Sequence, residues 1–229
     1  VVGVVGALLS ALGDVLVLGR PCSGRDFDRA SGRVPPHVVA DPTWRSLWNG
    51  AGLPARRIQA GTVIGCLGIA LLQWPAMRGI SRTLPAGRDR RVAEASAAAF
   101  AVAGVLTHQC CGSVVLAYRR AAEEDPGPDT GTRRAPRSAT PLLALSTAAT
   151  LGALATYSAG LTVSALRRPS PSSAWPSVVT PLSSVLVTLL GFGVLPAPIG
   201  GFARPASISI GLMTSFAVTA ALDRRRGDE

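Results

Sequence analysis

Six apolar runs, each near the length a helix needs to cross a bilayer, are strung along this sequence at residues 1–19, 58–77, 92–118, 141–165, 178–195 and 207–222. About 20 apolar residues at 1.5 Å each cover the hydrocarbon core, so the pattern predicts an all-α fold. The expectation is one integral membrane domain over residues 1–229, a polytopic transmembrane bundle of about six helices. The last run is the shortest and weakest of the six.

Composition supports that class. With 48% hydrophobic and 16% charged residues and a mean hydropathy of +0.34, the chain is too apolar for an ordinary soluble domain. Its 23 basic residues are all arginine, and alanine, glycine and proline abound. That bias suits a high-GC bacterium, and the expected location is the bacterial cytoplasmic membrane. The net charge of +10 does not point to nucleic acid, because the arginines flank apolar blocks and are not interleaved with aromatics on one face. They read as contacts to lipid headgroups, which makes the bilayer the expected partner.

The runs are joined by polar segments. The long one, 20–57, carries Phe27, Trp44 and Trp48 and reads equally as an interfacial cap or a plain loop. Residues 119–140 are rich in proline, glycine and charge and read as a flexible linker. Arginine asymmetry orients the bundle weakly, with 13 on one side and 10 on the other. The dense arginines of residues 78–91 and of the tail favour cytoplasmic termini. The sequence starts at Val1 with neither methionine nor a basic leader, and the native N-terminus is expected upstream. The first run reads as a retained helix and not as a signal-peptide core, because Asp14 stands in its second half.

Asp14 is the feature that points to function. An ionisable group at membrane depth costs roughly 2.5–3.5 kcal/mol on insertion scales, so a chain that keeps one gives it a partner or a water-lined pocket. Ala11, Ser10, Ala7 and Gly3 share its helical face. This stripe of small side chains lets helices approach closely and turns the carboxylate inward. His108 shares its own face with Gly104, Ala101 and Ala97 and with Cys111, Gly112 and Val115, so it too is expected to point inward.

The first and third helices run in the same direction. Asp14 lies six residues before Arg20 and His108 eleven before Arg119, which sets them about 9 Å and 16 Å from one membrane face. Arg57 enters the second helix from that face. Asp14 and His108 are therefore the candidate catalytic acid–base pair, with Arg57 as the candidate substrate-binding residue for an anionic headgroup. The alternative is that the polar pair merely locks two helices together.

No metal or other cofactor is expected. Thr107-His108-Gln109-Cys110-Cys111 holds imidazole and thiols, but adjacent cysteines diverge on a helix and only His108 and Cys111 share a face. Haem held by two histidines is excluded, because no second histidine lies in an apolar run. Gly61 and Gly65 form a GxxxG suited to packing within the chain. Gln73 and Glu94 are expected at the opposite interface, Tyr157 as a hydrogen-bonded packing residue, and Pro181 near the start of its helix.

Taken together, Gly13-Asp14, Arg57 leading into Gly61 and Gly65, His108, and Pro198 with Gly200-Gly201 resemble a family of small bacterial multi-pass membrane proteins known as a domain of unknown function. The likeness spans most of the chain through short motifs. It implies a membrane fold and no established activity, and it covers neither the long first loop nor Cys110-Cys111. Three functions stay open: a membrane enzyme acting on a lipophilic small molecule, a small proton-coupled carrier, and a non-catalytic membrane component. The oligomeric state is not legible.

Overall fold

The computed structural model describes residues 1–21, 32, 39, 42–123, 139–167, 179–196 and 199–227. Expectations for Cys22, Phe27, His37, Pro198 and the linker at 124–138 lie outside the described residues, as does the side chain of Trp44. The fold is all-helical, with no strand among the described residues. Its elements are α1 (Val2–Leu18), α2 (Pro42–Ala51), α3 (Ala55–Thr83), α4 (Arg88–Glu123), α5 (Ala139–Arg167), α6 (Pro181–Gly193), α7 (Ile199–Ala203) and α8 (Ser207–Gly227).

Among the described residues three helices are long and apolar enough to cross a membrane: Ala55–Thr83, Arg88–Arg120 and Pro141–Arg167. The apolar helices Val2–Leu18, Pro181–Gly193 and Ser207–Leu222 are shorter. At 1.5 Å per residue α1 covers about 25 Å and α6 about 20 Å, less than a hydrocarbon core of about 30 Å. Part of the polar segment 20–57 is ordered as α2, which lays Leu47, Trp48 and Ala51 over Val17, Ile58, Val114, Val115 and Tyr118.

Glycine sets the closest contact. A Cβ on Gly13 would come 2.7 Å from both the Gly61 carbonyl oxygen and the Gly65 nitrogen, so α1 and α3 meet backbone to backbone. The GxxxG of α3 is thus spent inside the chain. Elsewhere α3 packs on α4, α4 on α5, and α8 on both α1 and α6. A light contact between α5 and α6 completes the circuit. One apolar cluster joins Ala7, Ile69, Met77, Ala97, Phe100, Leu154, Tyr157, Val185, Leu212 and Phe216 across all six of these helices.

Local sequence explains the irregularities. Residues Gly68–Gln73 of α3 form a π-helical turn just before Pro75. Proline has no N–H to give and its ring crowds the carbonyl four residues back, here Leu71; widening that turn relieves both. Thr180 caps α6 by accepting the Ser183 N–H at 3.2 Å, and Pro181 takes the first helical position, where no donor is needed. Between α3 and α4 the chain turns at Gly87, whose φ of 154° suits glycine alone.

Candidate functional site

α1 delivers Asp14 to the interior near its C-terminal end, and α4 delivers His108 opposite. His108 Nε2 lies 3.3 Å from Asp14 Oδ1, with side chains 11% and 18% exposed. From α8, Ser209 donates its hydroxyl to Asp14 Oδ2 at 2.7 Å. The carboxylate thus accepts from α8 and faces the imidazole of α4. The imidazole rests on Gly65, where a Cβ would overlap Cε1 and Nδ1 of the ring.

The order of the three groups matters chemically. A nucleophilic serine needs its hydroxyl on the imidazole, with the carboxylate behind. Here the carboxylate is central and the serine hydroxyl is bonded to it, so Ser209 orients Asp14 and is not activated by His108. What remains is a carboxyl–imidazole pair with 3.3 Å between Oδ1 and Nε2, a juxtaposition suited to general acid–base chemistry.

The pair forms part of the wall of a partly open cavity of about 270 Å³. Apolar side chains make up most of its lining, among them Val17, Ile69, Phe100, Leu143, Ile208 and Leu212. Its hydroxyls are already satisfied: Thr107 lies 3.1 Å from Thr150 and donates to the Ala103 carbonyl, while Thr147 donates to that of Leu143. Leu47 of α2 and Pro205, just before α8, also contribute.

Arg57 does not join them. Its guanidinium donates to the carbonyls of Val15 at 3.1 Å and Gly19 at 2.7 Å, closing the C-terminal end of α1. The sequence placed it at the right end of the bundle, but helix-terminal carbonyls without intrahelical partners are the nearer claim on a guanidinium. Arg204 does the same for α6, donating to the carbonyls of Phe192 and Leu195.

Gln73 corrects the expectation of an interfacial residue. It is 1% exposed, and its amide nitrogen donates to Ser10 Oγ at 2.7 Å and to the Gly6 carbonyl at 3.3 Å. It also lines the cavity. Glu94 pairs with Arg90 at 3.1 Å, and Tyr157 donates to the Met77 carbonyl at 2.8 Å.

Sequence reasoning missed Ser209, which sits in the weakest run. A serine is unremarkable in a helix, and no periodicity reports which hydroxyl will meet a carboxylate 195 residues away. Among the described residues no group of three His, Cys, Asp or Glu side chains is placed to hold a metal ion.

No curated protein and no solved structure matches this chain. Residues 1–223 match a family described as "Family of unknown function (DUF6796)". The chain that carries the Asp14–His108–Ser209 cluster therefore belongs to that family.

Proposed function

We propose that this is an integral membrane protein, of the bacterial cytoplasmic membrane, in which all six apolar helices lie within the bilayer. It acts as an enzyme on a lipophilic small molecule held in the cavity. Large apolar side chains stand exposed on every one of these helices except α8, including Leu8, Leu67, Leu106, Leu145 and Leu190. In water each such side chain forgoes about 1.5–3 kcal/mol of burial, whereas lipid supplies it. The arginine caps on α1 and α6 fit the same reading, because short helices that end below the headgroups need donors for their last carbonyls.

The catalytic reading rests on one observation: the carboxyl–imidazole pair is set in an otherwise apolar cavity wall. Such a wall keeps water from competing for the proton. The chemistry that needs nothing more is an isomerisation or cyclisation, in which one member takes a proton from one carbon and the pair returns a proton at another. Asp14 and His108 carry the transfer, Ser209 orients Asp14, and Arg57 holds the end of α1 in place.

The test is mass spectrometry of lipophilic species that copurify with the protein in nanodiscs. A discrete species is expected in the wild type, lost in Leu212→Trp, which fills the cavity, and enriched in Asp14→Asn, which binds without turnover. A folded Leu212→Trp variant with an unchanged profile overturns the reading.

A further inference from the structure

The polar groups of the cavity wall specify what its occupant must offer. Among the described lining residues, the hydroxyls of Thr107, Thr147, Thr150 and Ser209 all have partners. The amide oxygen of Gln73 does not: it is buried and accepts from nothing, although the amide nitrogen is used twice. A buried acceptor left without a donor is a cost that a ligand donor would recover. The π-turn places this residue here, and single π-turns recur at functional sites.

The second polar point is also rich in acceptors. Asp14 Oδ2 accepts from Ser209, Oδ1 lies 3.3 Å from His108 Nε2, and both oxygens keep a further lone pair. A carboxyl group at this point offers acceptors and so favours a donor over an anion.

Four arginines of the bundle are drawn to other groups, although Arg57 Nε is itself buried without a partner. Arg57 and Arg204 close helix ends, Arg119 donates to the Leu53 carbonyl at 2.5 Å, and Arg20 lies over the Trp48 ring at 5.7 Å. No arginine is among the described residues lining the cavity. Ser10, bonded to Gln73, precedes Asp14 by one helical turn, so the two acceptor points are separated by about 6 Å along α1.

Building on the cavity reading above, we propose that the occupant is a lipophilic hydrogen-bond donor, an alcohol or amine on a compact apolar body. An anionic lipid or isoprenoid phosphate is not accepted. Gln73 Oε1 takes the donor, and the apolar body fills the space bounded by Phe100, Ile208 and Leu212. Gln73 is therefore a specificity-determining residue that takes no part in proton transfer.

The experiment is photolabelling of the full chain in nanodiscs of zwitterionic lipid. It uses four probes on one diazirine-bearing ten-carbon chain that end in a hydroxyl, an amine, a methyl ether or a carboxylate, with crosslinked peptides mapped by mass spectrometry. The alcohol and amine are expected to label cavity peptides about tenfold more than the ether and the carboxylate. Gln73→Met is expected to abolish the preference for alcohol over ether. Wild-type preference alone decides the matter if that variant fails to fold.

Carboxylate labelling equal to or above that of the alcohol, or ether equal to alcohol in the wild type, overturns the ligand class while leaving a ligand cavity standing. If no probe labels cavity peptides above the level of lipid-facing ones, the underlying cavity reading falls, and the ligand class with it.

Discussion

The imidazole of His108 lies against the bare Cα of Gly65, at a point where a single added methyl would occupy the ring's own space. The carboxyl–imidazole pair is thus positioned by α3 as well as by the helices that carry it. A glycine noted in the sequence for helix packing proves to be the floor of the site.

Gly65→Ala should therefore act on function out of proportion to its size. Moving the ring or separating the helices is expected to cost about 1–3 kcal/mol of stability. Loss of the copurifying ligand should accompany it. A thermal unfolding curve and a ligand profile of the same preparation check both, and wild-type values in each would remove His108 from the floor assigned to it.

Asp14→Asn keeps the shape of the carboxyl group and leaves partners for His108 and Ser209. Polar contacts between membrane helices contribute about 0.6 kcal/mol on average, so the melting temperature should change little while turnover is lost. If the variant instead unfolds readily, the pair is holding the fold together. That is the structural alternative, and a comparison of unfolding in detergent decides it.

Arg57→Met should fray the end of α1 without emptying the cavity. Two carbonyls lose their donors, for an expected cost of about 1–3 kcal/mol each if water does not replace them, and Arg57→Lys should restore part of it. Amide hydrogen exchange near Gly19 would report the fraying. Ligand retention by a folded Arg57→Met variant is expected, and its loss would return Arg57 to the binding site.

Tyr157→Phe removes a buried hydrogen bond to the Met77 carbonyl and a contact with the Ser81 hydroxyl. A loss of about 0.5–1.5 kcal/mol is expected, with the ligand profile unchanged.

Asp14 and His108 were legible because charge in an apolar run is conspicuous and helical geometry converts their positions into a face and a depth. Their meeting at 3.3 Å follows from both. The third member was not legible. Ser209 is one of several hydroxyls in its helix, and its role depends on which helices become neighbours, a tertiary fact that one sequence does not encode locally.

Arg57 lies at the end of the bundle that arithmetic along the chain gives it, but such arithmetic does not locate the carbonyls within its reach. Gln73 was misplaced for a related reason. Its run was ended at Met77, whereas α3 continues to Thr83, which sets Gln73 well inside the helix. Pro75 is the sequence signal of the irregular turn that precedes it.

That turn carries a consequence for registry. A π-turn is in effect one residue inserted into a regular helix, and each residue of an α-helix advances the face by about 100°. Winding Gly68–Gln73 as a regular α-helix with every residue kept would swing Met77, Ile80 and Ser81 about a quarter of the way around the axis. Buried groups would then leave the core, and the carbonyl that receives Tyr157 would turn away from it. The two halves of α3 are thus phased by the widened turn, and a deletion of one residue within it, with the turn closing, is the change that would leave the phase intact.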